Sequence, residues 1–327
     1  MQLPNRHTIV IVIGALFFAL LPIAANLTDQ PYLLSLFSRI LIYAIAAVSL
    51  DLLIGFGGLV SLGHAAYVGI GAYVVGIFYQ HGFEAEPLLT WPFLIQGTDN
   101  ALIVFPAAVI IAGIFALIFG ALSLRTTGMH FIMITLAFAQ MLYYFFISLG
   151  KYGGDDGLSL YSRVTLPGLD LADDLHFYYL CLIFLALFLV FTVRLSRSRF
   201  GLVLRGSKNN DRRLNALGIH SYRYKLACFV LAGAGAGLAG ALLANQSEYV
   251  SPGLLHWTLS GELMVMVLLG GLGTLYGPVA GATLFLLLEE VLAMYTEHWM
   301  VIMGPILILV VIFAKHGVIG WLIGWRK

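Results

Sequence analysis

Asp51, His64 and Glu262 are the residues whose setting suggests chemistry, because each lies in or against a long apolar run. Asp51 comes just before the glycine-rich stretch Gly57-Gly58-Leu59-Val60-Ser61-Leu62-Gly63, and His64 follows it directly. Glu262 precedes a second such stretch, Gly270-Gly271-Leu272-Gly273-Thr274-Leu275-Tyr276-Gly277. A charge inside hydrocarbon costs at least about 2.5–3.5 kcal/mol, so such residues face a cavity or a partner. They either tie helices together by hydrogen bonds or touch a solute that moves past. For Asp51 and His64 the hydrogen-bonding use is preferred, and a gate fits as well as a binding site. Glu289 and Glu290 close another apolar run and are read as solvated at the membrane surface.

The glycine-rich stretches offer chemistry of their own. Unwound backbone within a membrane is tolerated only where it is buried or lines a cavity. The freed amides, carbonyls and helix ends can then bind a polar or zwitterionic solute, and a helix N-terminus suits a carboxylate. A tight turn between two helices is the plainer reading. The two stretches echo each other, one in each half, as in transporters whose site lies between repeats. The match is short and glycine-biased, so coincidence explains it equally well. The candidate path or gate residues are therefore Asp51, Gly57, Gly58, Ser61, His64, Glu262, Gly270, Gly271 and Gly273.

Other chemistries find no motif. There is no G-x-x-x-x-G-K-[ST], no zinc-spaced His or Cys cluster and no G-x-S-x-G. No catalytic, cofactor or metal residue is assigned. The G-x-G-x-x-G at Gly235–Gly240 lies inside an apolar run with no strand before it, so it does not read as a dinucleotide loop. Gly233 and Gly237 form a G-x-x-x-G, which lets membrane helices approach closely. Cys181 and Cys228, far apart in apolar runs, read as small packing residues.

The elements that position these residues follow from composition. Of 327 residues 61% are hydrophobic and 10% charged, against about a quarter charged in a soluble domain. The apolar residues come in helix-length blocks: 8–26, 33–54, 65–80, 101–123, 129–149, 176–194, 224–245, 259–270, 275–293 and 299–314. This predicts an all-α polytopic membrane protein. It has about ten transmembrane helices, some broken at glycine-rich segments, in a single transmembrane domain over 1–327. The first block is longer than a signal-peptide core and reads as a retained helix. A net charge of +1 gives no sign of nucleic-acid binding.

Nine of the 17 basic residues lie between Arg194 and Lys225, with Asp211 as the one acid. This loop is expected in the cytoplasm. Counting spans outward puts Arg6, Arg125, Arg326 and Lys327 inside, and the loops 81–100 and 150–175 outside. Both termini are then cytoplasmic. Within the basic loop, Leu204, Leu214, Leu217 and Ile219 are sparse apolar residues among charges, and Gly218 can end a short helix. Docking on a soluble partner and simple orientation of the chain both account for it.

At these residues the chain resembles the M-type membrane subunit of ATP-binding-cassette importers for branched-chain amino acids. That family also includes permeases for urea, short amides and aromatic acids. The matching segments are Ser49–Ala66, Leu124–Met129 with Thr135–Gln140, Gly153–Leu158, Arg205–Lys225 and Gly270–Pro278. The resemblance implies a type II importer fold in a bacterial cytoplasmic (inner) membrane. It implies a heteromer of two different permeases, two ATP-binding subunits and a periplasmic or extracellular solute-binding protein. ATP and Mg would act on the partner subunits, and the chain would carry no ATPase site of its own. A coupling segment at about 195–225 would meet the ATPases through Arg205, Lys208, Asn210, Asp211, Arg212, Ala216, Leu217, Gly218 and Ile219. The family often has an acid near Lys208-Asn209-Asn210, where this chain has amides. The rival expectation is a self-contained secondary transporter or channel, for which Asp51 and His64 are the motive.

Overall fold

The computed structural model describes residues 6–27, 30–85, 87–89, 95–296, 298–313 and 317. Every apolar block is a helix there. The order is α1 (Arg6–Leu27), α2 (Pro31–Asp51) with a π-helical turn Leu52–Phe56, and α3 (His64–Phe83). It continues with α4 (Ala101–Ser123), α5 (Met129–Ser148), α6 (Asp174–Arg197), α7 (Arg199–Asn209) and α8 (Asp211–Ala216). The last four are α9 (Ser221–Ser247), α10 (Trp257–Gly270), α11 (Gly277–Tyr295) and α12 (Trp299–Phe313). Starts are set by local chemistry. Pro31 occupies the first turn of α2, where its missing N–H costs nothing. Asn100 and Asp173 accept from the backbone N–H of Leu102 and Leu175, each at 3.0 Å, and so cap α4 and α6.

Two short strand pairs, β1 (Pro87–Leu89) with β2 (Ile95–Gln96) and β3 (Leu158–Ser159) with β4 (Tyr249–Val250), leave the all-α class unchanged. Among the described residues six helices are long and apolar enough to cross a membrane: α2 with its π turn, α4, α5, α6, α9 and α11. Length and apolarity thus support six spans, against about ten expected. Arg326, Lys327 and Glu86, which bear on the expected orientation, lie outside the described residues.

The core forms around α9, which packs on α2, α3 and α4. Its glycines make this possible. A Cβ on Gly237 would lie 3.0 Å from the Ala108 carbonyl oxygen and would collide with the Ala112 methyl. A Cβ on Gly233 would collide with the Ala116 methyl. The G-x-x-x-G motif is thus a packing face against an Ala108-Ala112-Ala116 stripe. The outward faces remain apolar, with Ile103, Ile110, Ile114 and Leu117 on α4 and Ile183, Leu187 and Val190 on α6 all exposed. Such faces suit lipid and would be unstable in water.

Candidate functional site

The π turn Leu52–Phe56, just ahead of the first glycine stretch, touches the second stretch although the two are distant in sequence. There α2 departs from the regular α-helical bonding pattern. Asp51 lies at the end of α2 with its side chain buried, and its Oδ1 accepts from the Gly273 N–H at 2.8 Å. Beside it, a Cβ on Gly55 would stand 2.7 Å from the Gly273 nitrogen and 2.8 Å from its Cα. Only glycine permits that approach. Gly273 itself has φ +71°, a backbone region that L side chains rarely adopt. The second stretch is a turn joining α10 to α11. Thr274 Oγ1 donates to the Gly271 carbonyl at 2.8 Å and accepts from Gly277 N–H at 3.0 Å. Gly270 packs directly on Gly277. The plain reading of a tight turn therefore describes this second stretch.

His64, the first residue of α3, is fully buried. Its Nε2 lies 2.7 Å from Ser49 Oγ, which itself donates to the Ala46 carbonyl at 2.7 Å. With the Ser49 proton given to the Ala46 carbonyl, the imidazole is the donor, from Nε2. His64 Nδ1 is left buried without a partner. The next residue, Ala65, donates its N–H to Ser260 Oγ of α10 at 2.8 Å. Ser61 acts locally, accepting from Gly63 N–H at 3.2 Å. His64 and Ala65 thus fix the start of α3 against α2 and α10.

The basic loop folds into two short helices. Asn210 Oδ1 accepts from Arg213 N–H at 3.1 Å and caps α8. Asn and Asp cap about equally well, so the amide keeps the local structure an acid would give. At the other end, Gly218 N–H bonds to the Asn215 carbonyl at 3.0 Å and Ile219 N–H to Leu214 at 3.1 Å. With Gly218 at φ +79°, this is a Schellman stop. Asp211 forms an ion pair with Lys225 of α9. Arg205 is exposed yet tied back to the chain, donating to the Ser196 carbonyl at 2.8 Å and the Gly201 carbonyl at 3.3 Å. Arg212, Ala216, Leu217 and Gly218 are exposed.

One side chain joins the loop to the glycine stretches. Lys208 of α7 lays its stem on Gly58 and donates from Nζ to the Gly55 carbonyl at 2.9 Å. That carbonyl belongs to the π turn. Lys208, Gly55, Gly273 and Asp51 are therefore in unbroken contact. A cavity of about 490 Å³ opens beside them, with Gly57, Gly58, Thr126, Thr127, Lys208 and Asp211 in its wall.

A second polar cluster lies elsewhere, around a residue that motif and spacing do not single out. Arg39 of α2 donates from Nη2 to Glu289 of α11 at 3.0 Å, and its guanidinium lies 5.6 Å from the Tyr43 ring centre. Glu262 of α10 is half-buried within the electrostatic reach of both Arg39 and Glu289. Tyr32 donates its hydroxyl to Glu290. Glu289 and Glu290 are therefore not simply solvated as expected: an arginine and a tyrosine within reach bind them. Arg39 had a signal, as the one basic residue inside the apolar block 33–54.

Comparison with known proteins gives one consistent result. Residues 32–311 match the family model described as branched-chain amino acid transport system / permease component. The chain is 26% identical over 306 residues to the high-affinity branched-chain amino acid transport system permease protein LivM of Escherichia coli. The match covers 85% of this chain and 68% of that one. The LivM protein of Salmonella typhimurium is 25% identical over 304 residues, with the same coverage. BraD of Pseudomonas aeruginosa, also a permease protein of such a system, is 25% identical, covering 85% of this chain and 91% of its own. No solved structure matches.

Proposed function

Because the chain belongs to the branched-chain amino acid transport system permease component family, we propose that it is the membrane-embedded permease subunit of an ATP-driven importer that carries branched-chain amino acids into the cell. The match over residues 32–311 carries this reading. The finer assignments belong to the same proposal. The chain sits in a bacterial inner membrane with both termini in the cytoplasm, and α1, α3, α10 and α12 complete about ten spans. A second permease, two ATP-binding subunits and a solute-binding protein complete the machine. ATP and Mg are bound by the partner subunits.

The geometry suggests how a push would travel. The exposed surface of α8 and its Gly218 stop is the docking face for an ATP-binding subunit. Movement there reaches α7, and Lys208 passes it to the Gly55 carbonyl. Gly55 lies on Gly273, and Asp51 holds Gly273 by its N–H, so the α10–α11 turn follows. Asp51 and His64 then serve as fixing points rather than as solute contacts.

The test is reconstitution. The chain, co-purified with its partner subunits, should take up leucine into proteoliposomes only with ATP and the binding protein present. The isolated chain should neither hydrolyse ATP nor accumulate leucine. Leucine uptake by the isolated chain under an ion gradient alone would replace this reading with that of a secondary transporter.

A further inference from the structure

Arg39 of α2 and Glu289 of α11 form an ion pair, and Glu262 lies half-buried on α10, which packs on both helices and sets it within their electrostatic reach. The α2 span has a mean hydropathy of 2.0, so a charge there needs a reason. The Arg39–Glu289 pair explains part of it. Two observations remain unexplained by that pair. Glu262 makes no hydrogen bond or contact ion pair among the described residues, so the trio carries one acid more than it has bases. In addition the pair is not sealed: the side chains of Arg39 and Glu289 keep 34% and 19% of their accessible surface. Charges left open to lipid would be expensive, so this face is expected to meet polar surroundings in the assembled importer.

The arrangement has the charge pattern of an α-amino acid in reverse. A guanidinium offers five N–H donors in a planar fork, and Glu289 uses one of its edges, leaving donors for a carboxylate. The unpaired carboxylate of Glu262 matches an ammonium. Tyr43 sits beside the guanidinium and adds an aromatic wall. Resting on the import reading given above, we infer that Arg39, Glu262 and Glu289 form a station for the charged end of a passing amino acid. Arg39 takes the carboxylate, Glu262 takes the ammonium, and Glu289 holds Arg39 in place.

The test uses the complete transporter in proteoliposomes, with radiolabelled leucine as probe. Two analogues accompany it: 4-methylpentanoate, which lacks the ammonium, and 3-methylbutan-1-amine, which lacks the carboxylate. Glu262→Gln is nearly isosteric, and Glu262 has no partner to strand. The variant should assemble and hydrolyse ATP as the parent does. Leucine moved per ATP should fall roughly 10-fold or more, the loss expected for a charged hydrogen bond. The double variant Arg39→Gln/Glu289→Gln removes both members of the pair, so neither is left charged without the other. It should show the same loss. Neither analogue should be carried at the leucine rate by the parent. If either variant moves leucine per ATP as the parent does, or an analogue is carried equally well, the station is refuted. A parent complex that hydrolyses ATP but takes up no amino acid overturns the import reading itself, and this inference with it.

Discussion

Lys208 and Gly55 are bound through the π turn, the ammonium donating to a backbone carbonyl at 2.9 Å. Gly55 lies in the last turn of this helix, where carbonyls have no donor within the helix. The helix end therefore offers the acceptor, and the lysine satisfies it.

Removing the ammonium should uncouple the chain. Lys208→Met keeps most of the stem over Gly58 but loses a bond of about 1.5–3 kcal/mol to a charged donor. ATP hydrolysis by the complex should persist while leucine uptake per ATP falls severalfold. Parallel assays of phosphate release and leucine accumulation check this; equal losses in both would point to misassembly.

The Asp51 contact should matter for shape, with its negative charge secondary. Asp51→Asn retains an oxygen acceptor for Gly273 N–H, whereas Asp51→Ala leaves that N–H unsatisfied at a cost of about 1–3 kcal/mol. Thermal unfolding in detergent should rank parent, then Asn, then Ala. An Asn variant as unstable as Ala would mean the charge itself is required.

Gly55→Ala should be poorly tolerated. The new methyl would lie within 2.8 Å of Gly273 backbone, which has no side chain to move aside. Overpacking of this kind costs about 1–3 kcal/mol. Gly14→Ala is the control, since nothing lies within 4 Å of where its methyl would stand. Both are read as melting temperature and as membrane yield.

The ends of α8 should govern attachment of the ATP-binding subunits. Asn210→Ala removes a cap worth about 1 kcal/mol, while Asn210→Asp keeps it. Gly218→Ala forces a left-handed residue at about 1–2 kcal/mol. The amount of ATP-binding subunit retained on affinity purification should fall for Asn210→Ala and Gly218→Ala, and hold for Asn210→Asp.

Much of the scaffold was legible in one dimension. Apolar blocks marked the helices because lipid imposes a run of helix length. Gly218 was legible as a stop because a C-terminal glycine has one dominant use. The G-x-x-x-G face was legible because glycines four apart in an apolar run let helices approach closely. The contact between Asp51 and Gly273 was not, because nothing local to either residue names a partner 222 positions away. The echo between the glycine stretches suggested repetition; what the fold shows is the π turn before the first one packed on Gly273 of the second. Arg39 and Glu289 are 250 positions apart. Glu289 alone reads as a solvated surface charge and Arg39 as an isolated base in an apolar block, and only their meeting gives either a role. The amides at Asn209-Asn210 looked like a departure, yet Asn210 supplies the cap that an acid would have supplied.

The glycine and alanine face of α9 has a mechanical consequence. This helix runs 27 residues, roughly 40 Å at 1.5 Å per residue, and is wedged against its neighbours backbone to backbone. With few side chains between them to rotate, there is little slack to absorb a displacement. One end begins just past the Gly218 stop. Near the other, Asn245 accepts from the Val164 N–H of the loop beyond α5 at 2.9 Å. The helix is thus a strut with a hand on each face of the membrane. A stiff strut of this kind would carry a load from the Val164 loop toward the Asp211–Lys225 pair at α8, and equally in reverse.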